Sequence, residues 1–143
     1  MQAWAWFGLF GLPPSPANLA GFAAFALLLA QGALYWIAKL RQLRSGAPDL
    51  PGAAAFAFAS RANPPVLFAV VLFTGWSAFE APGATTFLGL GMALFAVLEH
   101  VNYFHIQLSY DNAADLRYLT FHGLRRSHLA TDLERRSSRA ARS

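Results

Sequence analysis

The stretch "FAVLEHVNYFHIQLSYD", residues 95–111, brings chemistry into an otherwise apolar chain. Within it lie one intramembrane-type carboxylate, Glu99, two histidines, an asparagine, a glutamine and two tyrosines. Ionisable residues inside apolar runs are site hypotheses by default, because a mid-membrane charge costs about 2.5–3.5 kcal/mol on insertion scales. With Glu99 set at zero and 100° per residue, Tyr110, Tyr103, Gln107 and His100 fall within about 120° of it. Asn102 lies just on its other side. Glu99, His100, Asn102, Tyr103, Gln107 and Tyr110 are therefore the candidate ligand-binding residues, with chemistry suited to a polar headgroup or a proton shuttle. His105 lies about 140° round from His100, so a regular helix aims the two at different places. Helical metal pairs use i,i+3 or i,i+4 spacing. No metal and no cofactor is expected.

A plainer reading of the same stretch is a helix leaving the membrane. From Thr86 to Glu99 the chain rises about 20 Å, against a hydrocarbon core of about 30 Å. Glu99 then sits in the last third, and Tyr103 to Tyr110 cross the headgroups. Its expected partner is Lys39, Arg41 or Arg61. Together with Arg44 these form the candidate set for ion pairing or phospholipid contact.

The elements that must position these groups follow from the apolar runs. The chain has 143 residues, 56% hydrophobic and 13% charged, where soluble domains average roughly 25% charged. No Asp, Glu, Lys or Arg precedes Lys39, and between Arg61 and Asp111 only Glu80 and Glu99 are charged. Asn18–Leu40 follows "LPPSP" and is long enough to span. Val66–Phe79 is shorter, and Pro64 and Pro65 are expected in its first turn, since proline is unsuited to a helix interior. Thr85 to about Ile106 forms the third run, with Thr85 or Thr86 as its cap. The sequence thus predicts an all-α polytopic membrane bundle of three transmembrane helices, with Met1–Leu12 and Gly52–Ser60 as short interfacial or re-entrant pieces. Four spans are the alternative. Residues 1–110 form the bundle and residues 111–143 a basic cytoplasmic tail.

In the tail, "NAADLRYLTFHG" has a capping-box-like start at Asn112. "SHLATDLERR" predicts a helix from Ser127, with Leu129 and Leu133 in phase. The final "SSRAARS" is expected to be disordered. Lys39, Arg41, Arg44 and Arg61 share one loop region, and the other seven basic residues lie in the tail. Because positive residues stay cytoplasmic, the N-terminus is expected outside, with loop and tail inside. The basic excess points to anionic headgroups at the cytoplasmic face rather than to nucleic acid. The absence of cysteine excludes disulfides and thiolate chemistry.

"EHVNYFHIQLSYD", "LRYL" and "LRRSHLATDLERR" resemble small bacterial integral membrane proteins of unknown function, which carry an E-x-[VI]-N-Y patch at the end of the last span. The resemblance covers about Val97 to Arg136 and implies a bacterial inner-membrane location. The expected function is a non-enzymatic accessory or interaction protein acting through Glu99–Tyr110 and the tail. Its expected partners are membrane lipids, a second copy, or a larger membrane complex. The alternative is a membrane-embedded enzyme or small-molecule binder centred on Glu99, Asn102 and Tyr103.

Overall fold

Proline at the first helical position needs no N–H, and a preceding serine supplies an acceptor for the next free amides. Both devices open helix α1, Pro16–Ser45. The Asn18 amide donates to the Ser15 hydroxyl at 3.2 Å, and Gly46, at φ 64°, closes the other end in the left-handed conformation of a helix C-cap. Helix α2 is Ala53–Glu80, α3 is Phe87–Phe104 and α4 is His128–Ala140. This computed structural model describes residue 8, residues 14–106 and residues 126–141. The segments Met1–Leu12 and Asn112–Gly123, and the side chains of Gln107 and Tyr110, lie for the most part or wholly outside that range. Among the described residues the structure is all-helical, apart from an isolated bridge between Ile106 and Arg126.

Three of these helices, α1, α2 and α3, are long and apolar enough to cross a membrane. Many of their large apolar side chains are turned outward. Leu34, Phe68, Trp76 and Phe79 are 58%, 66%, 63% and 81% exposed. Much of what is buried is small or polar, as at Ala24, Ala93, Ala96, Asn18 and Thr74, beside a few large side chains such as Leu28 and Leu67. Small residues inside and large ones outside are expected where lipid is the solvent and close backbone approach supplies the packing.

The second helix corrects the sequence reading. Pro64 and Pro65 lie inside α2, not at its start, so Gly52–Ser60 supplies no separate half-span and the helix begins at Ala53. At about 1.5 Å per residue its 28 residues reach about 42 Å, which removes the shortfall in length. The two prolines cost the hydrogen bonds to the carbonyls of Ser60 and Arg61. Such losses are tolerated in membrane helices because neighbouring groups and local adjustments re-satisfy the backbone. Both prolines are exposed.

The chain divides into two compact units, Met1–Ala30 with Ala62–Leu98 and Gln31–Arg61 with Glu99–Ser143. In the first unit, α1 and α3 meet backbone to backbone. A side chain on Gly21 would run into the Gly89 carbonyl, and one on Gly89 into the Ala17 carbonyl. Asn18, fully buried, joins the same contact. Its Oδ1 accepts from the Gly89 amide at 2.8 Å and its Nδ2 donates to the Ala84 carbonyl at 3.1 Å. Ser15 donates to the Thr85 carbonyl close by. The Gly89 amide is one of the orphan donors of the first turn of α3. Thr86 donates its hydroxyl to the Ala81 carbonyl at 2.7 Å, and the Gly89 amide is turned to Asn18. The cap comes instead from another helix. Thr74, also buried, returns its hydroxyl to Val70 on its own helix at 2.9 Å.

Candidate functional site

The second unit contains the chemistry-bearing residues. At the end of α3, Tyr103 follows Glu99 by one turn, and its phenol hydrogen-bonds the Glu99 carboxylate. The ring is seated on Gly32 of α1, where any side chain would overlap the phenol. The Tyr103 carbonyl accepts from the Ser127 hydroxyl at 2.6 Å. Ser127 is the N-cap of α4, and the same hydroxyl accepts from the Ala130 amide at 3.1 Å. The helix expected from Ser127 is thus present, and it extends to Ala140, so that most of "SSRAARS" is helical and not disordered.

Helix α4 is held against α1 by a second cluster. Lys39 Nζ contacts both Asp132 oxygens, at 2.9 and 2.8 Å. Tyr35, one turn before Lys39 and 2% exposed, donates its hydroxyl to Asp132 at 3.1 Å. The Lys39 and Asp132 side chains are only 22% and 9% exposed. Around them Trp36 meets His128, with ring centroids 6.4 Å apart, and Tyr35 meets Phe56 of α2 at 6.0 Å. Leu129 and Ala130 are buried, while Glu134, Arg135, Arg136, Ser137 and Ser138 are exposed. The first turns of α4 are therefore packed, while from Glu134 onward the helix is exposed and carries Arg135 and Arg136 outward.

The expected pairing of Lys39 with Glu99 is corrected: Lys39 is the partner of Asp132. The ion pairs among the described residues are Lys39–Asp132 and Arg126–Glu134; Glu99 is in neither. Arg41, Arg44 and Arg61 are exposed. The physical reason is competition: a carboxylate on α4 reaches Lys39 with both oxygens, while Glu99 has the phenol one turn along its own helix. Asn102 is half-buried, His100 is buried, and Gln107 and Tyr110 lie outside the described residues.

The two histidines also depart from the helical projection. Their rings are adjacent, with centroids 5.4 Å apart, and His100 stacks on Phe104 at 4.9 Å. Helix α3 ends at Phe104, so His105 is set by a turn in which Val101 accepts both the His105 and Ile106 amides. Among the described residues no third His, Cys, Asp or Glu completes a metal-binding group with them.

A polar cleft opens beside the Lys39–Asp132 pair. It has a volume of about 280 Å³ and is lined by Lys39, Gln42 and Leu43 of α1, Asp49 of the following loop, and Asp132 and Arg135 of α4. Sequence reasoning missed Tyr35, Gln42, Asp132 and Arg135. One signal was available: Tyr35 and Lys39 are four apart on α1, and Asp132 interrupts the Leu129–Leu133 apolar side of α4.

The class that fold and site define is a polytopic all-α membrane protein with its last helix docked on its first. No protein-family model matches the chain, and no curated protein and no solved structure is significantly similar to it.

Proposed function

We propose that the protein is a non-enzymatic accessory or interaction protein of the bacterial inner membrane, working through the Glu99–Tyr110 segment and the cytoplasmic tail. The carrying observation is the docking of α4: Leu129, Ala130 and Asp132 are engaged, and the exposed side offers Arg135 and Arg136 from a fixed helix. A helix ordered before binding spares a partner the entropy of folding it. The orientation follows from the positive-inside bias, with N-terminus outside and the Lys39–Arg61 loop and tail inside. The contact between Lys39 in that region and Asp132 in the tail supports one common face for both. The resemblance of Val97–Arg136 to small bacterial membrane proteins supports the location. The reading of Glu99 as the centre of an embedded enzyme gains no support from the geometry, since its carboxylate is engaged by Tyr103 and the polar cleft is lined from elsewhere.

The test is site-specific photo-crosslinking from position 136 in native membranes, followed by purification in mild detergent and mass spectrometry. The expected result is one dominant adduct, to a second copy or to one membrane protein, that is lost when Arg135 and Glu134 are both charge-reversed. A protein that is always recovered alone and monomeric would overturn the proposal.

A further inference from the structure

The docked pair fixes the direction in which α4 continues. Trp36 meets His128, Lys39 meets Asp132, and Leu43 lines one cleft with Arg135. The contacts advance together along both helices, so α4 runs parallel to α1. From Trp36 to Leu43, and from His128 to Arg135, each helix rises about 10 Å. Lys39 is the first charge in the chain, and Pro16 to Trp36 rises about 30 Å, the thickness of the hydrocarbon core. The level of Trp36 and His128 is therefore the membrane boundary. The headgroup layer beyond it is about 5–8 Å deep. Arg135 and Arg136 stand past that layer, on a helix that leads away from the bilayer.

Leu43 is 69% exposed at a depth where hydrocarbon no longer covers it, and Leu40, one turn before, is 51% exposed. Arg44, Arg135 and Arg136 are exposed, and none is in an ion pair among the described residues. On a helical wheel Arg135 and Arg136 lie within about 60° of Asp132, on the side by which α4 meets α1. An apolar centre with a cationic rim thus forms one patch. We infer that this patch binds an acidic amphipathic segment of a second protein, with apolar side chains on Leu40 and Leu43 and carboxylates on Arg44, Arg135 and Arg136. The inference rests on the interaction reading above and names the partner's chemistry. An isologous pair of copies would set arginine against arginine. Among the described residues, the carboxylates of a copy are engaged or placed elsewhere: Asp132 with Lys39, Glu134 with Arg126, and Glu99 with Tyr103. Asp49 is also partnered, and Glu80 lies at the opposite end of the α2 span. A lipid phosphate does not reach Arg135, and a nucleic-acid backbone would leave Leu43 uncovered.

The experiment uses the full chain in phosphatidylcholine nanodiscs, with empty nanodiscs as the baseline. The probe is a fluorescent peptide with leucine at every third or fourth position and glutamate between. Its leucine-to-serine analogue and an oligothymidylate of equal charge are the comparisons. The leucine peptide should bind about ten-fold more tightly than either. Arg135→Gln with Arg136→Gln should weaken it about ten-fold, and Leu43→Ser about five-fold. All three positions are exposed, so the folded protein should elute unchanged. A spin label on Ser138→Cys should be equally accessible to a water-soluble relaxation agent in phosphatidylcholine and phosphatidylglycerol nanodiscs. Equal binding of the three probes, or an undiminished affinity in Leu43→Ser, would overturn the inference. So would a label shielded by phosphatidylglycerol, which assigns the arginines to lipid, or pairing of two copies that Arg135→Gln abolishes. An adduct from position 136 without binding of the leucine peptide overturns this inference alone, whereas no adduct overturns the interaction reading beneath it.

Discussion

Asp132→Ala should release α4 from α1. The carboxylate accepts two contacts from Lys39 and one from Tyr35, at 2.9, 2.8 and 3.1 Å. An exposed pair contributes about 0–1 kcal/mol, while removing one partner of a buried pair costs about 3–5 kcal/mol. Side-chain exposures of 22% and 9% place this pair nearer the buried limit. The loss also strands the Tyr35 hydroxyl, which has 2% residue exposure, as a donor without its acceptor. A cost of about 3 kcal/mol follows, equivalent to about 150-fold in the local opening equilibrium. Hydrogen exchange of a peptide covering residues 128–133, measured by mass spectrometry in nanodiscs, reads that opening directly. Exchange there should rise by about two orders of magnitude while residues 66–79 stay protected.

The control is a triple variant, Lys39→Met, Asp132→Leu, Tyr35→Phe, which removes every charge and donor at once. Replacing a buried ion pair by apolar residues of similar volume is often neutral or stabilising. The triple variant should therefore protect α4 at least as well as Asp132→Ala alone, and within about 1 kcal/mol of the natural chain. Unchanged exchange in Asp132→Ala would show that the polar cluster does not hold the helix. A triple variant worse than the single one would show that charge itself, and not the stranded partners, sets the energy.

Asn18→Leu leaves the Gly89 amide and Ala84 carbonyl without partners, and should lower stability by about 2 kcal/mol in detergent unfolding. Gly89→Ala should abolish folding or cost several kcal/mol, because a methyl there meets the Ala17 backbone. Gly75→Ala, where nothing lies within 4 Å, should be neutral or stabilising by up to about 1 kcal/mol in the same detergent unfolding. Gly32→Ala should destabilise through Tyr103, and adding Tyr103→Ala should cost little more; independent, additive losses would refute their contact. The chain has no cysteine, so single cysteines at positions 45 and 138 should label from the same side of spheroplasts, and one at position 81 from the other.

The spans were legible because hydrocarbon forbids charge, and a charge-free run of sufficient length fits little besides a membrane crossing. The start of α2 was not, because the rule that proline ends a helix was learned in water. In a helix whose prolines face outward, and whose length must cross a bilayer, the same residues become interior. Capping was legible where it is local, as at Ser127, and illegible where it is tertiary. Asn18 lies far from Gly89 in sequence, and no local pattern joins them. The histidines were misplaced for a third reason: the helical projection was carried past Phe104, where the helix had stopped.

Glu99 shows how a sound principle can choose the wrong partner. A carboxylate at the end of a span does need an answering group, and the basic loop was the obvious source. Yet the nearest donor was already four residues along its own helix, the spacing at which helical side chains meet. Tyr103 answers Glu99, lies on Gly32, and passes its carbonyl to the Ser127 cap of α4. The basic residue thereby released, Lys39, meets Asp132 further along that same helix. The polar stretch that resembled a site within the membrane thus leads residue by residue to the mounting of the tail. That continuity favours the interaction reading: polar groups buried at a span's end are spent on fixing α4, and its exposed basic side is what remains for a partner to meet.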